Sequence, residues 1–149
     1  MNDLETCQTY VDHLRAEHRQ LHAEVRRIKN VFFAERTKSD RLSEVKLELS
    51  ALADELRKHF AEEEDGGCLE EAISRCPSVA AEADALQRQH PGLLANLQQV
   101  TAALSAPPQA VSLADVEAKF DDFTRQLMTH EAAENKVMQR AFGVTVNGE

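Results

Sequence analysis

Two copies of one pattern of metal-ligand residue types stand out in this 149-residue chain. In each copy a single histidine is followed, 41 positions later in one copy and 40 in the other, by a second histidine and then a glutamate four residues further on. The two copies are His18, His59 and Glu63, and His90, His130 and Glu134. Imidazole nitrogens combined with carboxylate oxygens suit divalent first-row metals, iron in particular. The repeat therefore predicts a metal site with these six residues as ligands.

All six candidate ligands fall on the apolar faces of helical patterns. His18, for example, continues a stripe that contains Leu14 and Leu21, with steps of three and four residues. A polar side chain on such a face must find a partner or destabilise the fold. A single histidine there is more often a satisfied core residue than a ligand. Because all four long patterns carry one, we infer a shared site.

The composition indicates the fold class. The chain has only five Gly and four Pro and has no Trp, which favours helix over the tight turns of a β fold. Four long helical patterns are predicted at about 3–35, 40–65, 78–105 and 112–142, with a short helix at about 68–75 that covers one end as a lid. Because the connections are short, we expect one all-α domain over residues 1–149, an antiparallel up-down-up-down four-helix bundle.

Several residues mark where these helices begin and end. Ser112 and Asp115 are spaced as a capping box at the start of the last helix, and Gly143 follows its end. Pro77 and Ser78 are the predicted cap of the third long helix, and Pro91 lies inside it, where a kink is expected.

The register of the bundle brings the two copies to one level. In a helical hairpin, residues equidistant from the turn lie at the same height, because both helices rise about 1.5 Å per residue. The midpoint between His18 and His59 falls in the break before the second helix, and that between His90 and His130 falls in the break before the last helix. The six side chains are therefore expected to converge in one central pocket.

Four histidines and two carboxylates suit two ions better than one. We expect Glu63 and Glu134 to bridge the ions, with His18 and His59 on one ion and the other two histidines on the second. Each iron then has fewer than six protein ligands, which leaves positions for water, an oxo or hydroxo bridge, or a diatomic ligand. Zinc or manganese would also suit these ligands.

For two further residues near this set, the sequence does not decide whether they are metal ligands. His22 follows His18 by one helical turn, and Glu131 follows His130 directly. We expect both on solvated edges of their helices, with coordination as the alternative for each.

Charge and cysteine content exclude several classes of partner. The net charge is −9, and no basic block outweighs its acidic neighbours, so neither nucleic acid nor a membrane surface is expected to bind. The three cysteines, Cys7, Cys68 and Cys76, form no C-x-x-C pair and are odd in number, which favours a reducing compartment. Residues 1–20 lack the apolar core of a signal peptide. We therefore expect a cytoplasmic protein.

In its His and His-x-x-x-Glu pattern, repeated from His18 to Glu134, the chain resembles the hemerythrin-like, or HHE cation-binding, domains. The resemblance implies a non-haem di-iron centre inside a four-helix bundle, with the six candidate residues at the family's ligand positions. Oxygen-carrying hemerythrins have another histidine where this chain has Leu94, and tend to have an aspartate where it has Asn135. One iron thereby loses a nitrogen ligand, which favours sensing, iron handling or redox activity over reversible oxygen carriage.

Three classes of function remain. The first, which we favour over an enzyme, is a binding or sensing protein whose two irons bind oxygen, nitric oxide or peroxide, or register iron supply; a sensor would act through a partner protein. The second is a di-iron oxidoreductase that acts on peroxide, nitric oxide or ferrous iron. The third is a metal-free bundle that serves protein contacts.

Overall fold

The computed structural model describes the backbone of residues 3–65 and 68–143 and the side chains of residues 9–65 and 69–143. Every regular element in these ranges is helical, so the predicted all-α class is confirmed there. The helices are α1 (Asp3–Phe33), α2 (Lys38–Glu64), α3 (Cys68–Arg75), α4 (Ala80–Ala103) and α5 (Leu113–Phe142). Short 3-10 turns, Pro77–Val79 and Pro108–Ala110, precede α4 and α5. Among the described helices, none has the length and apolar character needed to cross a membrane.

Side-chain caps define two of the helix starts. Thr37 is the N-cap of α2, and its Oγ1 accepts a hydrogen bond from the Asp40 backbone N–H at 3.1 Å. This cap starts α2 at Lys38, two residues before the predicted position. Ser112 accepts from the Asp115 N–H at 3.2 Å, as predicted for α5. Gly143 ends α5 with a φ of 72°, a left-handed conformation in which a side chain would be strained.

The predicted cap of the third long helix is wrong. Pro77 and Ser78 belong to a 3-10 turn, and α4 begins at Ala80 with Val79 as its N-cap. Proline suits the first position of this turn because its fixed φ is already helical. The Ser78 hydroxyl instead accepts a hydrogen bond from Arg140 Nη2 at 3.1 Å. The α4 helix continues through Pro91.

The buried apolar side chains form two separate clusters. The large cluster draws on α1, α2, α4 and α5 and includes Leu52 and Phe120. The small cluster includes Leu14, Leu69 and Val137 and draws on α1, α3, α4 and α5. On α1, α4 and α5, the candidate ligands lie along the chain between residues of the large cluster and residues of the small one. The polar centre is therefore enclosed between two apolar layers.

The short helix α3 contributes to the layer that closes one end. Its Leu69 and Ala72 are fully buried in the small cluster, which is the covering role that the sequence predicted for this segment. The predicted helix stop at Gly66 and Gly67, and the side chains of Cys7 and Cys68, lie outside the described residues.

Two leucines of α2 provide a matched test of the large cluster. Leu52 is fully buried, whereas Leu47 is 71% exposed. We expect Leu52→Ala to lower the free energy of unfolding by about 2–5 kcal/mol, because it removes buried methyl groups and leaves a cavity. Leu47→Ala should change it by less than about 0.5 kcal/mol. Urea denaturation followed by circular dichroism measures both, and equal losses in the two variants would contradict this packing.

Candidate metal centre

The six candidate ligands lie together in the interior. They come from all four long helices, and none is more than 4% exposed. They fall into two groups of three, in each of which the ligand atoms lie within 4.8 Å of one another. One group is His18, His59 and Glu134, and the other is Glu63, His90 and His130. Each histidine pair therefore comes from one copy of the sequence repeat.

Glu63 spans the two histidine pairs. Its Oε1 lies 2.5 Å from His59 Nε2, and its Oε2 lies 3.1 Å from His90 Nε2. Glu134 has the equivalent position on the other side of the centre, with Oε1 2.9 Å from His18 Nε2 and Oε2 3.6 Å from His130 Nε2. Each carboxylate thus presents one oxygen to each pair of imidazoles. Each carboxylate could therefore contribute one oxygen to each of the two groups.

Although these buried atoms lie close to one another, many of them make no hydrogen bond of acceptable geometry within the described part of the chain. They include both Glu63 oxygens, Glu134 Oε2, and the Nε2 atoms of His90 and His130. Leaving such groups unsatisfied costs about 1–3 kcal/mol each, and more when they are charged. A divalent cation beside each histidine pair would satisfy them, since it would have two imidazole nitrogens and two carboxylate oxygens as ligands. The donor set therefore fits two first-row metal ions.

Three of the histidines are held from outside by their Nδ1 atoms. His59 Nδ1 contacts Glu17 Oε2, His90 Nδ1 lies 3.3 Å from Glu64 Oε2, and His130 Nδ1 lies 2.8 Å from Gln89 Oε1. An Nδ1–H that donates to such an oxygen leaves Nε2 as the free donor atom towards the centre. This arrangement is typical of metal-binding histidines, whose outer partners fix the tautomer and the ring orientation.

None of these three outer residues was among the candidates predicted from the sequence. A signal for two of them was present, because Glu17 and Gln89 each directly precede the first histidine of their copy. Each contacts the second histidine of the same copy. The repeat therefore extends one residue further than the ligands alone, and the same register argument would have found it.

The predicted solvated position of Glu131 is wrong. The residue is only 4% exposed, although a solvated face was predicted. Its Oε2 accepts a hydrogen bond from His22 Nε2 at 2.6 Å, and its Oε1 lies 3.9 Å from His18 Nε2. The side chain of His22 is 34% exposed, which agrees with its predicted edge position. α5 is buried over a wide face at this level, so Glu131, which follows His130 directly, also points inward.

A surface group lies outside the centre. His13 is exposed, and its Nε2 lies 2.8 Å from Glu62 Oε2 and also contacts Glu17 Oε1. Glu17 therefore has one oxygen towards His13 and the other towards His59. These contacts hold the Glu17 carboxylate in place behind the imidazole of His59.

The protein alone compensates part of the buried charge by proton uptake at His59. Burial by itself would lower its pKa, but the adjacent carboxylates of Glu17 and Glu63 outweigh burial and raise the pKa of His59 to about 11. Burial would raise the pKa of Glu63, but the neighbouring imidazoles of His59 and His90 hold it well below its usual value. Glu63 is thus an anion beside a protonated His59.

The other carboxylate behaves differently. Burial, together with repulsion from Glu63, raises the pKa of Glu134 to about 7. Burial lowers the pKa of His18, but the carboxylate of Glu134 reverses this and leaves it raised. The pKa of His130 is lowered to about 4 by burial, with a contribution from the nearby histidines. His130 is therefore neutral at pH 7.

No match to the chain was found among protein-family models, curated proteins or solved structures. The resemblance to hemerythrin-like domains accordingly rests on the six residues and their spacing.

These shifts predict how the stability of the metal-free protein depends on pH. Burial raises the pKa of Glu17, but His59 and Glu62 lower it to about 2, so its contribution is present above pH 4.5 and is lost as the pH falls towards 2. The raised pKa of His59 contributes stability below pH 6.5 that is lost as the pH rises towards 11. We expect the free energy of unfolding to be greatest between about pH 4.5 and 6.5.

Urea unfolding of chelator-treated protein across this pH range measures the effect. Glu17→Gln should flatten the acid side of the profile, since it removes a carboxylate whose pKa is lowered in the folded state. A profile of Glu17→Gln that coincides with the wild-type profile would contradict the contact between Glu17 and His59.

Proposed function

We propose that the protein binds two iron ions between its four long helices, and that the centre binds a small ligand such as oxygen, nitric oxide or peroxide, or senses or handles iron. The main support is the disposition of Glu63 and Glu134. Each has one oxygen beside each histidine pair. The two buried carboxylates repel each other in this position, as the raised pKa of Glu134 reflects, and cations between them would relieve that repulsion.

The unsatisfied atoms of the centre argue against a metal-free bundle. A bundle that served only protein contacts would be more stable with apolar residues here, since replacement of buried ionic groups by well-packed hydrophobic ones is often stabilising. Instead, buried ligand atoms without partners lie beside Glu63 and Glu134. Iron is the preferred metal because mixed imidazole and carboxylate donors suit it. Zinc and manganese remain alternatives.

We also propose the arrangement expected from the resemblance, an antiparallel four-helix bundle of the hemerythrin-like type. In support, only residues 34–37 connect α1 to α2, and residues 104–112 connect α4 to α5, and short connections favour antiparallel neighbours. The contacts between His59 and Glu17, and between His130 and Gln89, are those expected of two such hairpins.

The chain's own residues would have distinct roles around the ions. Four Nε2 atoms and two carboxylates hold the ions, while Glu17, Glu64 and Gln89 orient three of the imidazoles from outside. The apolar clusters on either side exclude water. When bound, iron supplies reversible redox chemistry and affinity for small ligands. The same chemistry would serve the alternative function, an oxidoreductase that acts on peroxide, nitric oxide or ferrous iron.

Metal content provides the direct test. Protein purified aerobically from iron-rich medium should contain about two iron ions per chain and show an absorption spectrum that changes on addition of dithionite and then oxygen. Glu63→Gln should reduce the content to about one ion or fewer, because the amide cannot bridge as a carboxylate does. Glu48→Gln, on the same helix and paired with Arg27, should retain the wild-type content. Absence of metal from the wild type would refute the proposal.

Metal should also stabilise the fold. Because the ligands come from all four long helices, the unfolded chain cannot present them together, so binding adds directly to the free energy of unfolding. At free metal about a thousandfold above the dissociation constant, the gain is about 4 kcal/mol. Thermal unfolding with and without a chelator measures it. A melting temperature that does not respond to metal removal would contradict the proposed site.

A further inference from the structure

We propose that the two ions are held unequally. Glu131 is a third carboxylate ligand of the ion between His18 and His59, and the small ligand binds at the ion between His90 and His130. This inference rests on the proposed di-iron function and adds to it which ion is open.

One carboxylate oxygen of Glu131 is buried and makes no hydrogen bond to the described residues. Glu131 is 4% exposed, and its Oε1 has no hydrogen-bond partner among the described residues. This atom lies 3.9 Å from His18 Nε2. Two ligand atoms of one ion, each about 2.0–2.2 Å from it, lie about 3–4 Å apart. An ion on His18 Nε2 is therefore within reach of Glu131 Oε1. His22 holds the other oxygen at 2.6 Å and so orients the carboxylate.

The residues next to the candidate ligands differ between the two copies of the repeat. Glu131 follows His130 directly, and the equivalent residue after His59 is Phe60. His22 lies four residues after His18, and the equivalent residue after His90 is Leu94. One ion thus has a carboxylate and a histidine where the other has two apolar side chains.

The contacts of Phe60 and Leu94 agree with this equivalence between the two copies. The ring of Phe60 stacks on that of His90 with centroids 3.9 Å apart, just as Glu131 lies beside His18. Leu94 packs against the large cluster. Neither side chain offers a ligand atom. The ion between His90 and His130 therefore has four protein ligand atoms, two imidazole nitrogens and one oxygen from each bridging carboxylate, and keeps positions for another ligand.

A surface groove gives access to one side of the centre. The groove has a volume of about 550 Å³, lies between α4 and α5 and reaches His130. Its lining includes Gly92, Asn96 and Thr129. A Cβ at Gly92 would meet no atom within 4 Å, so the groove is open at that point. The groove thus brings a small polar molecule to the outer edge of His130, beside Gln89, whereas His22 and Glu131 cover the side of His18.

A cobalt titration tests the unequal ligand sets. Metal-free wild type should take up two Co²⁺ ions in two resolved steps, followed by visible absorption, because the ion with Glu131 has one more ligand. Glu131→Gln should weaken the tighter step by about 10- to 100-fold, and so merge the two steps. The control Glu117→Gln removes a carboxylate from the same helix, about 20 Å away along its axis, and should leave both steps unchanged.

The outcomes separate this inference from the proposed function. If wild type binds two ions and Glu131→Gln binds them with unchanged affinities, Glu131 is not a ligand and only this inference fails. If wild type binds no cobalt and no iron, the di-iron function itself fails. If Glu131→Gln does not fold, as judged by loss of its helical circular dichroism, the titration is carried out on His22→Ala instead. Loss of the partner that orients Glu131 should also weaken only the tighter step, and an unchanged tighter step would overturn the inference.

A second measurement tests which ion is open. Azide, a small anionic probe, is mixed with the iron-loaded ferric protein, and its binding is followed by stopped-flow absorbance. Gly92→Leu should slow association several-fold at unchanged iron content, because its side chain fills the groove. Ala102→Leu, an exposed position on the same helix, should have the wild-type rate. An unchanged rate in Gly92→Leu at unchanged iron content would place the ligand elsewhere.

Discussion

Buried ionisable groups at one level of the helices are the constraint on which the structure depends. Carboxylates and imidazoles from four helices lie between two apolar clusters, where an isolated charge is strongly disfavoured and must be paired. In the protein alone, protons compensate part of the charge, which is why the pKa of His59 is raised and that of Glu63 is lowered. Two divalent cations would take the place of those protons, because ligand atoms must lose their protons to bind metal.

The layers around this centre explain how it can persist. The large and small clusters supply the burial that stabilises the helices on either side, and α3 completes the small one. Between the clusters, outer hydrogen bonds from Glu17, Glu64 and Gln89 leave three imidazoles little freedom to turn. A preorganised donor set binds metal more tightly, since less conformational entropy is lost on binding.

The two copies of the repeat are alike in their ligands and different in their neighbours. Glu63 and Glu134 each contact one histidine from each copy, so the centre lies between the copies and belongs to neither. The residues next to the candidate ligands differ: His22 and Glu131 lie near His18, whereas Phe60 and Leu94 are the equivalent residues near His90. In the proposed centre, such a difference would give two otherwise similar ions separate roles, one mainly structural and one open to a ligand.

The sequence by itself determined the helices, through the steps of three and four between apolar residues, and identified the level at which the six ligand types occur. Caps such as Ser112 and Gly143 were also predictable, because they depend on local backbone hydrogen bonds. The start of α4 was not, since Ser78 is used by Arg140, a residue 62 positions away.

Only the tertiary structure decided which face of α5 is buried beyond the apolar stripe. Glu131 looks like a solvated residue in sequence, and its burial depends on how closely α1 approaches α5, as the contact with His22 shows. Which oxygen of Glu63 or Glu134 faces which imidazole was likewise decided by packing between helices. Periodicity specifies the direction of a side chain from its own helix axis, whereas the identity of the facing atom depends on the position and rotation of another helix.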